Sequence, residues 1–83
     1  MKRMKEEIPK LDLHRVRHEE VEHLVIRFIE SHWNSGVEEL EIITGNSESM
    51  KVIVSDILDD YNLDYSFGRK FDLNNRGYIV IWL

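Results

Sequence analysis

The run Tyr78-Ile-Val-Ile-Trp-Leu83 limits the fold more than any other part of the sequence, because all six of its positions are apolar. A strand with one face in water alternates apolar and polar residues, so an unbroken apolar run is typical of a strand covered on both sides. The chain has 83 residues, enough for one domain, and that domain must supply the cover. We therefore expect a central strand here, with neighbours on both sides.

Two segments have the periodicity of helices with one apolar face. The first covers about residues 18–34 and carries Val21, Leu24, Val25, Phe28, Ile29 and Trp33. The second covers about residues 47–61 and carries Met50, Ile53, Val54, Ile57, Leu58 and Tyr61. Gly36 suits a left-handed cap after the first helix, and Asn46 or Ser47 can cap the start of the second.

Shorter segments at residues 11–14, 40–43 and 63–67 are typical of strands, and turn residues at 72–77 precede the last strand. The order β-α-β-α-β-β predicts an α/β fold of the two-layer α+β type. We expect this fold to contain a four-stranded mixed sheet with two helices on one face. We expect residues 1–9 to form a flexible N-terminal segment and residues 10–83 to form the domain.

The charge and composition exclude several classes of protein. The chain carries 16 acidic and 11 basic residues, a formal charge of −5, which argues against a protein that coats nucleic acid non-specifically. A local basic patch on such an acidic body is still allowed. The chain has no cysteine, so it can form neither disulfides nor thiolate metal sites. No apolar run approaches the roughly 18 residues of a membrane helix, and the charged start does not resemble a secretory signal, so we expect a cytoplasmic protein without membrane contact.

Leu11-Asp-Leu-His14 is the first candidate for chemistry. On a strand, Asp12 and His14 would point to the same side. Together they could bind a divalent metal or polarise a water molecule. The alternative is a carboxylate hydrogen-bonded to nearby backbone, and the motif alone favours that alternative because it is so short.

Thr44-Gly-Asn-Ser47 is the second candidate. A loop from a parallel strand into a helix lies where ligands of α/β proteins usually bind, and the helix N-terminus favours an anion such as phosphate. The alternative is a plain turn with a polar cap. The loop lacks the glycines of a P-loop, so nucleoside triphosphate binding is not expected. Because both candidates follow adjacent parallel strands, we expect them at the same edge of the sheet.

Basic and aromatic side chains add further candidates. Phosphate contacts are predicted for Arg15, Arg17, Lys51 and Arg76, with the first two directly after the first motif. For any one of them, a solvated charge is the alternative. Trp82 would stack on a base or build a subunit interface if exposed, although burial against the edges of the sheet is favoured.

The whole pattern resembles the Smr (small MutS-related) domain family. Smr domains begin with an LDLHG-like strand, continue through a strand into an HGxG-like loop, and end in a glycine-containing hairpin. This chain has Leu11-Asp-Leu-His14, Glu41-Ile-Ile-Thr-Gly45 and Asn75-Arg-Gly-Tyr-Ile-Val-Ile-Trp82 at the corresponding places. The resemblance covers Leu11 to Leu83. It implies a fold similar to the C-terminal domain of bacterial translation initiation factor 3, with the last strand antiparallel to the others.

The resemblance also implies a function. It implies a nucleic-acid-binding module for DNA or RNA, with metal-assisted endonuclease activity that nicks DNA or cleaves RNA by phosphodiester hydrolysis. Asp12 and His14 match the catalytic motif, with Asp12 as a ligand of Mg or Mn. Residues 44–47 match the loop and would contact phosphate through Thr44, Gly45, Asn46 and Ser47.

Three positions depart from the family pattern. Arg15 stands where the family often has glycine, Thr44 replaces the loop histidine, and Ser47 replaces the last loop glycine. The loss of the histidine removes one candidate for proton transfer. Two alternatives therefore stay open: a non-catalytic nucleic-acid-binding module, and a protein-interaction domain, which includes a homodimer through the last strand.

Overall fold

The protein is described by a computed structural model that covers residues 7–72 and 75–83. Its elements are β1 (Lys10–Asp12), α1 (His18–His32), β2 (Glu39–Ile43), α2 (Glu48–Asp60), β3 (Asp64–Phe67) and β4 (Tyr78–Trp82). The order of elements is the predicted one. The flexible segment predicted over residues 1–9 falls mostly outside the described residues and stays a prediction; at its end, the carbonyl of Pro9 accepts a hydrogen bond from Glu41 N at 3.0 Å.

The four strands form one mixed sheet in the order β1-β2-β4-β3. β1 and β2 are parallel, and β4 runs antiparallel to both of its neighbours, β2 and β3. The central place of the apolar run is therefore confirmed. The strand register pairs Leu40 with Ile81 and Ile42 with Ile79, and all four side chains are fully buried.

Both helices cover the same side of the sheet, because they pack against each other as well as against the sheet. Their fully buried or nearly buried side chains are Val21, Val25 and Ile29 from α1 and Met50, Val54, Ile57 and Leu58 from α2. The two predicted apolar stripes thus form the core. None of the helices in the described ranges has the combination of length and apolar character needed to cross a membrane.

The end of α1 differs from the prediction. The helix ends at His32, because a turn follows in which Ser35 N donates to the His32 carbonyl and Asn34 has a φ of 66°. Trp33 therefore leaves the apolar stripe and is 49% exposed. Phe28 lies at the margin of the core, partly buried, with its ring 5.0 Å from the His32 ring in an edge-on arrangement.

The other side of the sheet has no helix, and we call it the open face. Its residues, according to the strand register, are Lys10, Asp12, Glu39, Glu41, Ile43, Asp64, Ser66, Tyr78, Val80 and Trp82. Residues 68–72 and 75–77, here called the cover loop, fold over part of this face. The result is that Val80 is fully buried although no helix covers it.

Arg69 fastens the cover loop to the sheet. Its Nη2 donates to Glu39 Oε1 at 2.9 Å and to Glu41 Oε2 at 3.0 Å, so the side chain reaches across β4 to β2. These hydrogen bonds raise the pKa of Arg69 above its usual value. Trp82 lies beyond this cover and is 39% exposed, so the favoured prediction of burial is wrong. Its neighbours in the register, Glu39 and Asp64, are too polar to bury the ring.

Candidate functional site

The ends of β1 and β2 meet at one edge of the sheet, here called the candidate edge. Asp12 pairs with Ile43, and Leu13 N donates to the Ile43 carbonyl at 2.8 Å. Residues 13–17 then form the first turn, which leads into α1, and residues 44–47 form the second turn, which leads into α2. The two motifs found in the sequence, and the N-termini of both helices, therefore lie at the same edge.

The first turn departs from the predicted geometry. β1 ends at Asp12, so His14 is not on the strand and the two residues do not share a strand face. Instead, Asp12 Oδ1 accepts a hydrogen bond from His14 N at 2.9 Å, and Val16 N donates to the Leu13 carbonyl at 3.0 Å. A short carboxylate side chain that binds backbone two residues ahead favours a turn over a continued strand. Asp12 and His14 both remain exposed to solvent.

Arg15 has a left-handed backbone conformation, with a φ of 69°. An L-residue with a side chain is disfavoured there by about 1–2 kcal/mol, whereas glycine is not. This geometry explains why a glycine fits the LDLHG pattern at this position. In this chain an exposed arginine takes the strained place instead.

The residues of the second turn form hydrogen bonds with the loop before β4, with one another and with the start of α2. Thr44 N and Gly45 N both donate to the Gly77 carbonyl, at 2.8 and 2.9 Å. Thr44 is only 3% exposed, and its Oγ1 donates to the Gly45 carbonyl at 2.9 Å. Ser47 Oγ accepts from Met50 N at 3.1 Å, which confirms the predicted cap of α2. The side chains of Thr44 and Ser47 are therefore engaged in the fold, while Asn46 is exposed.

Gly77 belongs to this edge, although sequence reasoning did not identify it. A Cβ atom on Gly77 would lie 3.4 Å from backbone atoms of Gly45, so the two glycines allow the loops to approach closely. Gly77 N also donates to Asn75 Oδ1 at 3.1 Å. The turn chemistry of residues 72–77 was visible in the sequence, but its partner 32 positions earlier was not.

The predicted phosphate-binding cations fall into two pairs around the candidate edge. Arg15 and Arg17 are exposed on the first turn, and Arg17 lies 3.8 Å from Glu19 in an ion pair open to solvent. On the side of the second turn, Lys51 and Arg76 line one shallow cavity. The side chain of Lys51 is only 13% exposed and lies 3.7 Å from Glu48, whereas Arg76 is exposed.

The residues present do not form a ready-made metal site. Within residues 7–72 and 75–83, no group of three or more histidine, aspartate or glutamate side chains is placed to hold a metal ion. Asp12 contributes one carboxylate, and one of its oxygens already accepts a hydrogen bond from His14 N. Metal ions in structural and catalytic sites usually need a larger set of protein ligands, although Mg²⁺ can rely on substrate phosphates.

Comparisons with known proteins agree with this architecture. The Smr domain profile matches residues 11–83. A search of curated protein sequences found no match. Among solved structures, the fold is similar to the crystal structure of YdaL, a stand-alone small MutS-related protein from Escherichia coli, with a TM-score of 0.70 and 23% identity. That similarity covers 89% of this chain but 63% of the other, so the chain spans less than two thirds of the length of that relative. Because the family profile covers almost the whole chain, the protein belongs to the Smr domain family.

Proposed function

We propose that this Smr domain binds a nucleic-acid strand across the candidate edge and hydrolyses one phosphodiester bond of that strand with Asp12 and His14. The observation that carries the proposal is the meeting of the two turns, both helix N-termini and two pairs of basic residues at one edge. Each of these features attracts phosphate, and the first turn adds an exposed carboxylate beside them.

The first turn supplies the stronger phosphate site. Arg17 is the N-cap residue of α1, and its side chain makes no capping hydrogen bond. The backbone N–H groups that begin the helix therefore have no side-chain cap and can donate to a phosphate oxygen. Arg15 places positive charge next to those donors, and so does Arg17, which also pairs with Glu19 of the first helical turn at 3.8 Å. Phosphate contacts made by these cations should make binding weaken as salt increases, with a slope set by the number of contacts.

Asp12 and His14 supply the chemistry in this proposal. The hydrogen bond from His14 N fixes the orientation of the Asp12 carboxylate at an exposed place, where water can reach it. The carboxylate orients a water molecule and accepts its proton as the water oxygen bonds to phosphorus. His14, in its protonated imidazolium form, then donates a proton to the ester oxygen as the bond from that oxygen to phosphorus breaks, and is left as neutral imidazole. General acid–base catalysis of this kind contributes about 10²- to 10⁴-fold to the rate.

Whether cleavage needs a metal ion is a question for the cleavage experiment. Family resemblance predicts Mg or Mn with Asp12 as a ligand, but the described residues supply no complete set of ligands. Neither proton transfer proposed above passes through a metal ion.

One observation favours a second candidate, a nucleic-acid-binding module that does not cleave. The family's loop histidine is replaced by Thr44, whose hydroxyl is buried and hydrogen-bonded to the Gly45 carbonyl. This hydroxyl cannot exchange a proton with a bound phosphate, so the edge would have only the first turn for chemistry. The phosphate contacts would remain the same.

The two candidates differ in a direct assay. The purified protein is incubated with end-labelled single-stranded and stem-loop DNA and RNA at low salt, with EDTA or with Mg²⁺ or Mn²⁺. Salt-sensitive binding with new fragments supports the proposal, and the EDTA samples show whether cleavage needs a metal. Salt-sensitive binding without fragments supports the module that does not cleave. No binding at low salt contradicts both and favours a protein-interaction domain.

A further inference from the structure

A second basic surface lies where the cover loop meets the end of β3 and the end of β4. The cover loop and the end of β4 enclose a shallow cavity whose lining combines three aromatic and three basic residues: Phe67, Phe71, Trp82, Arg69, Lys70 and Arg76. Among the described residues that line it, none is acidic. The protein has five more acidic than basic residues, yet Lys70 and Arg76 give this lining positive charge, while Glu39 and Asp64 flank Trp82 in the strand register without lining the cavity.

The aromatic side chains of this cavity are exposed. Phe71 is 84% exposed and Trp82, on the open face, is 39% exposed, whereas Phe67, 41% exposed, belongs to the helix side of β3 by the strand register. Water disfavours large apolar rings, so a group of them on one surface indicates a binding site. Basic residues that follow a phosphate backbone, with aromatic rings on which bases stack, are the combination found in proteins that bind single-stranded nucleic acid.

The basic residues of the cavity have different roles. Arg69 donates to both Glu39 and Glu41, so its charge is compensated and it holds the cover loop in place. Lys70 and Arg76 are exposed and can contact phosphates. The nearest carboxylate on the cover loop, Asp72, accepts a hydrogen bond from the Tyr78 hydroxyl at 3.0 Å and does not line the cavity.

Arg76 connects this cavity to the candidate edge. It also lines the cavity that contains Lys51, and it directly precedes Gly77, whose carbonyl binds the second turn. We propose that Phe71 and Trp82, with Lys70 and Arg76, form a stacking surface for unpaired bases of a single nucleic-acid strand. The inference rests on the proposed function, because the same strand would continue from the stacking surface to the candidate edge.

Trp82 can report on the stacking surface directly. The chain contains two tryptophans, and Trp33 lies at the end of α1, away from the cavity. In a Trp33→Phe background, Trp82 emission is followed while oligo(dT) or an abasic oligomer of the same length is added. The abasic oligomer keeps the phosphates and lacks the bases, so the difference between the two oligomers measures stacking alone.

Phe71→Ala is the test variant, since a side chain that is 84% exposed can be removed without loss of core packing. We expect oligo(dT) to quench Trp82 and to bind more tightly than the abasic oligomer. Phe71→Ala should weaken oligo(dT) binding by about tenfold, the effect of one lost stacking ring, and leave abasic binding unchanged. The matched control, Trp33→Ala, removes an exposed aromatic ring far from the cavity and should change neither affinity.

Other outcomes separate the two proposals. If both oligomers bind with equal, salt-sensitive affinity and Phe71→Ala has no effect, the stacking surface is wrong while the proposed function stands. Duplex DNA that quenches Trp82 as strongly as oligo(dT) would also overturn the preference for unpaired bases. If neither oligomer binds at low salt, both proposals fail, and a protein partner becomes the better occupant of the aromatic surface.

Discussion

The two strand-to-helix turns have similar backbone conformations, but their side chains have different roles. Each contains a left-handed residue, with a φ of 69° at Arg15 and 70° at Gly45. Each begins its helix with an extended residue, Arg17 in the first turn and Ser47 in the second. The second turn has glycine at the left-handed place and a serine that caps the helix. The first turn has arginine at both places, and its cap residue makes no side-chain hydrogen bond.

This difference shows where the fold leaves side chains available. In the second turn, Thr44 and Ser47 are engaged in hydrogen bonds within the fold. In the first turn, His14, Arg15 and Arg17 are all exposed, and the turn keeps a strained residue and an uncapped helix. Proteins tend to depart from local structural preferences at functional sites. We therefore assign the chemistry to the first turn and the support of the loop to the second.

The largest expected effect is on cleavage, from Asp12→Asn. Asparagine keeps the shape of the side chain and an oxygen that can accept the hydrogen bond from His14 N, so the turn should keep its structure. It lacks the charge needed to accept a proton from water. We expect cleavage to fall by about 100-fold or more. Single-turnover cleavage, with melting temperature and binding measured in parallel, checks this.

Thr44→Val is the matched control from the second turn. It keeps the volume and removes the hydroxyl that donates to the Gly45 carbonyl. We expect it to lower the free energy of unfolding by about 1 kcal/mol and to leave cleavage by the folded protein unchanged. Equal cleavage by wild type and Asp12→Asn, or loss of cleavage in folded Thr44→Val, would reverse the roles assigned to the two turns.

The left-handed positions should respond in opposite directions to substitution. A Cβ atom on Gly45 would have nothing within 4 Å, so the cost of Gly45→Ala is conformational and should be about 1–2 kcal/mol. Arg15→Gly relieves similar strain, but glycine adds about 0.5–1 kcal/mol of backbone entropy to the unfolded chain. We therefore expect Arg15→Gly to raise the free energy of unfolding by about 0.5 kcal/mol. Urea unfolding of both variants measures the two effects, and a loss of stability in Arg15→Gly would show that the arginine side chain stabilises its turn.

The two helix caps provide a smaller and symmetrical test. Ser47→Ala removes the acceptor for Met50 N and should lower the free energy of unfolding by about 1 kcal/mol. Arg17→Ser places a capping hydroxyl on an extended residue with φ −69° and ψ 141°. It should raise the free energy of unfolding by about 1 kcal/mol. Thermal unfolding checks both. If Arg17→Ser gives no gain, the arginine already stabilises α1 in a way that its side-chain hydrogen bonds do not show.

Local patterns predicted much of this architecture. The apolar run at 78–83 indicated the central strand, and the stripes of α1 and α2 indicated the core, because periodicity reports directly on which face is buried. A cap at Asn46 or Ser47 was predicted because capping depends on residues three positions apart, and the structure shows that Ser47 is the cap. The candidate edge followed from the parallel arrangement of the first two strands.

Features that depend on distant residues could not be predicted in this way. Arg69 binds Glu39 and Glu41, which lie 30 and 28 positions earlier, and no local pattern pairs them. This contact helps to hold the cover loop over the open face, where Val80 is fully buried. The end of β1 was predicted incorrectly for a local reason. Alternation favoured a strand through His14, but the hydrogen bond from His14 N to Asp12 stabilises a turn, and the strand ends at Asp12.

The smallest expected effect distinguishes the two pairs of cations that are proposed to contact phosphate. Arg15 is exposed on the first turn, whereas the Lys51 side chain is 13% exposed and lies 3.7 Å from Glu48. A cation that is already paired and mostly buried releases fewer counterions when a phosphate binds. Arg15→Ala should therefore lower the magnitude of the slope of log affinity against log salt by about 0.7 for a single strand, and Lys51→Ala by less. Fluorescence anisotropy with a labelled single-stranded oligonucleotide at several salt concentrations measures both slopes. A larger change for Lys51→Ala would move the main phosphate contact to the second turn and contradict the assignment of the stronger phosphate site to the first turn.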